Sequence, residues 1–328
     1  MVEIWIWFDE NEGILSGIAA ALVIFGALST VGRDFVLKLL GFSKPQQKIT
    51  LAELSKPSPH KIQFANSDGV KIAYTEQGKT SPDLIVTPGI ISNLHVLSNL
   101  PPIRDTMSGL AKFSRVINFD KRGQGLSDPI AEVASLGERV KDIGAVADAG
   151  GADRFVLMGI SEGGPMSISY AVANPDRVKG LILFGTTPRF SRSDDYPIGM
   201  SDRALNHLSQ NWTTGAARDI FFPSISRETM ADDTYRALEK LLSDRRSLHQ
   251  IVEYMKSLDV RDLLHKVSCP TLVIHFSGDL AVPLHMGRYL ADHIPNARFL
   301  ELAGVDHADL ASAPSAITEI RDFINALK

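Results

Sequence analysis

From residue 60 onward, hydrophobic positions follow two patterns: short unbroken apolar runs, and longer stretches in which apolar residues recur at helical spacing. Short apolar runs bounded by turn residues are typical of strands that are buried on both faces of a parallel sheet. The first two runs flank Ser67-Asp68-Gly69 and are expected to form an antiparallel hairpin. The pattern predicts eight strands, namely Lys61–Ala65, Val70–Glu76, Leu84–Thr87, Arg115–Phe119, Phe155–Met158, Gly180–Phe184, Thr271–His275 and Arg298–Glu301.

Helical stretches fall between the later strands, for example at Ser135–Ala149, Gly163–Ala173 and Ala313–Leu327. This alternation, after an antiparallel start, predicts an α/β fold in which helices flank a mostly parallel sheet of eight strands. We assign residues 60–186 and 266–328 to this core.

Residues 187–265 interrupt the alternation. They contain amphipathic helical segments, such as Asp232–Leu242 and Leu248–Leu258, and no convincing strand. An insertion at this point of the chain would lie above the carboxyl ends of the strands, where ligands bind in open α/β sheets. We interpret it as a helical cap over the active site. The alternative is a helical layer at the side of the domain, without contact to substrate.

Residues 1–42 contain an apolar segment, Gly13–Gly32, without any charged side chain. At about 1.5 Å per residue, a helix of this length crosses a hydrocarbon core of about 30 Å. Basic residues outnumber acidic ones after the segment, so the positive-inside rule predicts a membrane anchor with the C-terminal domain in the cytoplasm. The alternative is an apolar helix folded onto the domain or onto a second copy, and the GxxxG spacing of Gly13 and Gly17 would suit a homodimer. Residues 43–59, polar and with three prolines, are expected to form a linker.

The composition narrows the function classes. The formal net charge is −4, which implies no dominant basic surface and disfavours nucleic acid as a partner. Cys269 is the only cysteine, so an internal disulfide is excluded. Histidines, cysteines and carboxylates show no metal-ligand spacing, and no phosphate-binding P-loop is present. We therefore expect no metal and no cofactor.

One short motif carries candidate chemistry. Gly159-Ile160-Ser161-Glu162-Gly163 matches G-x-S-x-G, follows an apolar strand and precedes a helical stretch. A nucleophile elbow needs this strand–turn–helix order, because the serine then projects from a strained turn at the start of a helix. The pattern predicts Ser161 as a catalytic nucleophile.

A serine hydroxyl requires a base to remove its proton, and the base requires an orienting acid, in the chain order serine, acid, histidine. His307 follows the last predicted strand, and Asp279 follows the strand before it. We predict His307 as the base and Asp279 as the acid. Asp306, directly before the base, is the competing acid.

An oxyanion hole needs two backbone N–H groups close to the developing alkoxide. We predict that Glu162, directly after the nucleophile, provides one of them. Ile90, which follows Pro88-Gly89 in the loop after the third strand, is predicted to provide the other. His95, just beyond that loop, is a further candidate for contact with substrate.

Five motifs, in this order, resemble the α/β-hydrolase superfamily over nearly all of residues 61–327: Pro88-Gly89-Ile90, Asp120-Lys121-Arg122-Gly123-Gln124-Gly125-Leu126-Ser127-Asp128, Gly159-Ile160-Ser161-Glu162-Gly163-Gly164, Gly278-Asp279 and Gly304-Val305-Asp306-His307. The Ser-Glu-Gly-Gly elbow and the Asp-Lys-Arg-Gly loop are most similar to the hydrolase domains found beside class III adenylate cyclases in bacteria. The resemblance implies an α/β-hydrolase fold and hydrolysis of carboxylic esters through an acyl-enzyme. It also implies that the predicted anchor would lie in a bacterial inner membrane.

We therefore expect a membrane-anchored carboxylesterase or lipase-like enzyme that hydrolyses small-molecule esters with short to medium acyl chains. The alternative is a ligand-binding sensor or signalling module on the same scaffold, although a pure binder would not need all three catalytic groups. Epoxide hydrolases and dehalogenases would require an aspartate at position 161. C–C bond hydrolases and perhydrolases share the serine triad and stay open.

Overall fold

A sheet of eight strands forms the centre of the fold in a computed structural model, which describes residues 48–327. The spatial order is β1-β2-β4-β3-β5-β6-β7-β8; β2 pairs antiparallel with both β1 and β4, and all other neighbours pair parallel. The predicted eight-stranded, mostly parallel sheet is therefore confirmed, with ends that differ from the prediction by no more than two residues. The strands are β1 Gln63–Ser67, β2 Val70–Gln77, β3 Asp83–Thr87, β4 Arg115–Phe119, β5 Phe155–Ile160, β6 Val178–Phe184, β7 Thr271–Phe276 and β8 Ala297–Leu302.

Alternate residues of the central strands enter two different hydrophobic clusters. In β5, Phe155 and Leu157 belong to the cluster on one face of the sheet, whereas Val156 and Met158 belong to the cluster on the other face. All four side chains are fully buried, because helices cover both faces. Successive side chains of a strand point to opposite faces, so a strand covered on both sides has a continuous apolar sequence.

Helices alternate with the strands and begin where the sequence offers a cap. Before the helix Leu136–Ala149, the Ser135 hydroxyl accepts a hydrogen bond from the Glu138 N–H, and the Glu138 carboxylate accepts one from the Ser135 N–H. This reciprocal pairing satisfies two N–H groups that a helix start leaves without a partner. The helices are α1 Leu51–Leu54, α2 Leu94–Leu97, α3 Pro101–Leu110, α4 Leu136–Ala149, α5 Gly163–Ala173, α6 Asp202–Gln210, α7 Arg218–Phe221, α8 Asp232–Leu242, α9 Arg245–Ser257, α10 Leu284–His293 and α11 Pro314–Ala326, with 3₁₀ turns at Arg261–Lys266 and Leu310–Ser312.

Residues 187–265, between β6 and β7, form a helical insertion that contains α6 to α9. Its buried side chains form a third hydrophobic cluster together with core residues such as Ile90 and Val282. The two ends of the insertion meet: the Val260 N–H donates to the Pro188 carbonyl at 3.0 Å, and Arg189 pairs with Asp259 at 2.7 Å. The insertion is thus a separate layer that enters and leaves the core at one place.

The described part of the predicted linker packs against this insertion. The Ile49 N–H donates to the Thr229 carbonyl at 2.7 Å, and the side chains of Ile49 and Leu54 are buried in the third cluster. The predicted membrane segment, residues 13–32, lies outside the described residues. Among residues 48–327, no helix is both long enough and apolar enough to span a bilayer.

Candidate active site

Ser161 lies in the turn between β5, which ends at Ile160, and α5, which begins at Gly163. Its backbone has φ = 52°, a left-handed conformation that residues other than glycine rarely adopt. The Ser161 N–H donates to the Phe184 carbonyl at 3.0 Å, and the Thr186 hydroxyl donates to the Ser161 carbonyl. These hydrogen bonds hold the strained turn in place, which is the geometry expected of a nucleophile elbow.

The glycines around Ser161 are required by close packing. A Cβ atom on Gly163 would lie 2.4 Å from the Thr87 carbonyl oxygen, and one on Gly159 would lie 2.9 Å from the Gly164 Cα atom. Real Cβ atoms do not approach other atoms so closely, so β3 and α5 can pack against the elbow only where glycine stands. The G-x-S-x-G pattern is therefore explained by contacts on both sides of the turn.

His307 and Asp279 come together as the sequence predicts. The His307 Nδ1 atom lies 2.7 Å from Asp279 Oδ2, while Asp279 Oδ1 accepts hydrogen bonds from the N–H groups of Ala281 at 2.8 Å and Val282 at 3.0 Å. Burial would raise the pKa of Asp279, but the neighbouring imidazole and the Val282 N–H together hold this pKa below its ordinary value. An ionised Asp279 accepts a hydrogen bond from Nδ1–H, which leaves Nε2 of the ring as the acceptor.

Nε2 of His307 is buried and has no hydrogen-bond partner within residues 48–327. His307 and Ser161 are 3% and 6% exposed, and both line the same cavity. The candidate base and the candidate nucleophile therefore line one cavity, in which an ester could bind with its acyl carbon near Ser161 and its leaving group near His307.

Asp306, the competing acid, has other partners. Its Oδ1 atom accepts the Ser224 N–H at 2.9 Å, and its Oδ2 atom accepts the Ser224 hydroxyl. Beside it, the His307 N–H donates to the Phe221 carbonyl at 2.9 Å. The loop that carries His307 is thus tied to the helical insertion by Asp306, while Asp279 holds the ring.

The two predicted oxyanion donors lie on segments that approach the nucleophile. A Cβ atom on Gly89 would be 3.6 Å from Ser161 Oγ, and Ile90 lines the cavity beside Gly89. Glu162 stands at the start of α5, directly after Ser161. His95, the further candidate for substrate contact, lies on α2 but does not line the cavity.

Beneath the elbow lies a charged cluster that the sequence analysis missed. Lys121 donates through Nζ to the carboxylate of Glu162, and Arg139 donates to the same carboxylate at 2.5 Å. All three side chains are at most 2% exposed, and the Arg139 guanidinium stacks 4.6 Å above the ring of Tyr254 on α9. Burial lowers the pKa of Lys121 to about 8, against the attraction of Glu162. The Asp-Lys-Arg-Gly loop is therefore more than the tight turn that its glycines indicate.

The cavity of about 1250 Å³, which includes space open to solvent, has mainly apolar walls. Helices α2 and α3 contribute Leu97, Ile103 and Met107. The helical insertion contributes Trp212, Phe221, Phe222, Tyr235, Leu238 and Leu242. Side chains of the insertion thus line the same cavity as Ser161. Within residues 48–327, no three His, Cys, Asp or Glu side chains are grouped as a metal site would require.

The sequence is similar to those of known proteins. The family Hydrolase_4, described as serine aminopeptidase, S33, matches residues 111–308. Pimeloyl-[acyl-carrier protein] methyl ester esterase of Chromobacterium violaceum is 30% identical over 178 residues, which are 52% of this chain and 67% of that protein. The protein of the same name from Nitrosomonas europaea is 28% identical over 179 residues, 52% of this chain and 71% of that protein.

Solved structures show the same fold. An esterase from Exiguobacterium antarcticum aligns with a TM-score of 0.69 at 22% identity, over 80% of this chain and 98% of that one. An enol-lactonase from Burkholderia xenovorans LB400 aligns with a TM-score of 0.66 at 21% identity, over 80% of this chain and all of that one. At such identities the likeness concerns the fold, which is that of the α/β hydrolases.

Proposed function

Since the chain belongs to the Hydrolase_4 family of α/β hydrolases, we propose that it hydrolyses carboxylic esters through an acyl-enzyme formed on Ser161. The observation that carries this proposal is the pairing of Asp279 with His307 at 2.7 Å, which leaves Nε2 of the imidazole as an acceptor in the cavity that Ser161 also lines. The methyl ester esterases among its relatives support an ester as the substrate.

In the proposed reaction, Ser161 Oγ attacks the acyl carbon and gives its proton to His307 Nε2. The N–H groups of Ile90 and Glu162 bind the resulting alkoxide, and the Asp279 carboxylate stabilises the imidazolium. His307 then protonates the leaving alcohol as the C–O bond breaks. Water attacks the acyl-enzyme by the same sequence of proton transfers, and the acid is released with Ser161 restored.

The cavity supports a short to medium acyl chain. Its walls are formed by aliphatic and aromatic side chains of α2, α3 and the insertion, so each methylene of a bound chain that leaves water gains about 0.8 kcal/mol. We propose that the insertion acts as a cap that determines how long a chain fits.

The proposal is tested with p-nitrophenyl esters of two to twelve acyl carbons, assayed on the wild-type protein and on Ser161→Ala. We expect turnover in the wild type, greatest for a short or medium chain, and none above background in the variant. A fluorophosphonate probe should label the wild type at Ser161 only. Absence of turnover at every chain length would contradict the proposal and favour a ligand-binding role. Aminoacyl p-nitroanilides, assayed in parallel, would detect a peptidase instead.

Membrane anchoring through residues 13–32 and pairing of two copies through that segment are further proposals, supported by the sequence pattern. Fractionation of cells that express the full chain, followed by carbonate extraction, tests the anchor. Light scattering of the detergent-extracted protein, with and without residues 1–45, tests the pairing.

A further inference from the structure

The side chain of Lys121 joins the two segments that would form the oxyanion hole. Its Nζ atom donates to the Gly89 carbonyl on the loop after β3 and to the Glu162 carboxylate on the elbow. The lysine is fully buried, so its contact with Glu162 is shielded from water, and its contact with Gly89 is partly shielded. A charged donor in such a place forms stronger hydrogen bonds than a neutral or exposed one.

The contact with Gly89 acts on a particular peptide unit. The Gly89 carbonyl and the Ile90 N–H belong to the same planar trans peptide, so they point in opposite directions. An ammonium group that binds the carbonyl therefore sets the direction of the N–H on the other side. It also polarises the peptide, because a carbonyl that accepts a hydrogen bond makes its N–H a better donor. The segment lies close to the nucleophile, since a Cβ atom on Gly89 would be 3.1 Å from the Cβ atom of Ser161.

The contact with Glu162 acts on the other donor. Glu162 is the residue whose N–H follows the nucleophile, and its carboxylate is held by both Lys121 and Arg139. Because both cations bind the same carboxylate, either one still anchors Glu162 when the other is removed. The nearby carboxyl of Asp120 interacts with the same lysine but is itself held by the N–H groups of Leu94 and Leu126.

We propose that Lys121 is a positioning residue for oxyanion stabilisation, which orients and polarises the Gly89–Ile90 peptide while it anchors Glu162. This inference rests on the proposed esterase function and deepens it. A merely structural lysine would neutralise Glu162 and nothing more. In that case Arg139, which binds the same carboxylate, would be its equivalent.

This equivalence provides a matched control. Lys121→Met and Arg139→Met each remove one buried cation and leave Glu162 with the other, but only the first removes the contact with Gly89. Lys121→Gln is the second variant, because its amide can donate to Gly89 without a charge. Each variant is assayed with the best p-nitrophenyl ester and with a trifluoromethyl ketone of the same acyl chain, which forms a tetrahedral alkoxide on the serine. Titration with a fluorophosphonate gives the concentration of folded sites.

Removing a donor from an oxyanion hole costs about 100- to 1000-fold in kcat, so weakening one should cost about 10- to 100-fold. We expect this loss in kcat for Lys121→Met, with KM within about threefold, and an equal loss of affinity for the ketone. Lys121→Gln should lose less, and Arg139→Met should lose clearly less than Lys121→Met, because it keeps the contact between Lys121 and Gly89. Equal losses in Lys121→Met and Arg139→Met, or a loss carried by KM, would overturn the inference while the esterase function stands. An inactive wild type would overturn both.

Discussion

The substitution Asp279→Asn tests the orientation of the catalytic imidazole. Asp279 uses its two oxygens differently: Oδ1 accepts two backbone N–H groups, and Oδ2 accepts from His307 Nδ1. The asparagine must place its own oxygen against the two N–H donors, because its NH₂ group cannot accept from them. The NH₂ group then faces Nδ1 and donates to it. The ring is forced to carry its proton on Nε2, where it can no longer take one from Ser161.

The size of the effect follows from the same geometry. At an effective dielectric constant of about 20, opposite unit charges 2.7 Å apart attract by about 6 kcal/mol, which is an upper bound for what Asp279 gives to the imidazolium. That energy corresponds to about four powers of ten in rate. Replacement of the acid by its amide in a serine triad is known to cost about 10⁴-fold in kcat. We therefore expect kcat of Asp279→Asn to fall by about 1,000- to 10,000-fold, with KM little changed.

Asp306→Asn is the matched control, because it makes the same chemical change one residue from the base. Its amide oxygen can accept the Ser224 N–H and its NH₂ group can donate to the Ser224 hydroxyl, so little should be lost. We expect kcat to fall by about fivefold, the equivalent of roughly 1 kcal/mol for a weakened hydrogen bond. Steady-state ester hydrolysis, normalised by active-site titration, measures both. A fall in kcat of less than tenfold in Asp279→Asn, or a greater fall in Asp306→Asn than in Asp279→Asn, would refute the assignment of Asp279 as the acid.

Three further outcomes are expected. Gly163→Ala places a Cβ atom 2.4 Å from the Thr87 carbonyl oxygen and should lower the free energy of unfolding by about 1–3 kcal/mol, as measured by urea denaturation. Gly137→Ala is the control, because its Cβ atom would have nothing within 4 Å, and it should raise this free energy by no more than about 1 kcal/mol. Burial raises the pKa of Asp120 to about 7, above the pKa that this carboxyl has in the unfolded chain. The carboxyl therefore contributes its full stabilisation below about pH 4 and loses it as the pH rises through 7. Asp120→Asn should remove this part of the pH dependence of the free energy of unfolding, measured by urea denaturation. Leu238→Trp narrows the cavity and should shift the optimum of kcat/KM to p-nitrophenyl esters of shorter chain. For the longer esters, kcat/KM should fall by about fourfold for each methylene that the cavity excludes. An unchanged chain-length profile would contradict the placement of the acyl chain beside Leu238.

The fold and the juxtaposition of the candidate catalytic residues could be predicted from the sequence because each depends on local patterns. A strand that is covered on both faces, such as Phe155–Ile160, shows itself as an apolar run. The residues after successive parallel strands must meet at one edge of the sheet, so Ser161, Asp279 and His307 could be expected near each other without knowledge of side-chain positions.

The charged cluster could not be predicted in this way. Lys121 and Glu162 are 41 residues apart, and Arg139 and Glu162 are 23 apart, so no helical or strand period relates them. Charged side chains are usually solvated, and only the tertiary packing shows that these three are buried together. The bond between Ser224 and Asp306 spans 82 residues and was hidden for the same reason. The nearest signal in the sequence is that Lys121 follows β4 almost directly, a strand in which Val116, Ile117 and Phe119 are buried.

The two ends of the helical insertion meet at Pro188 and Val260, which makes the insertion a candidate for exchange as a module. Because Pro188 and Val260 are hydrogen-bonded to each other, a graft joined at these two residues would leave the β6 and β7 ends where they are. A chimaera built from a related enzyme would, however, have to supply an aromatic ring at the place of Tyr254 and a donor at the place of Ser224. A chimaera that keeps these two contacts would show how far the rest of the insertion determines substrate range.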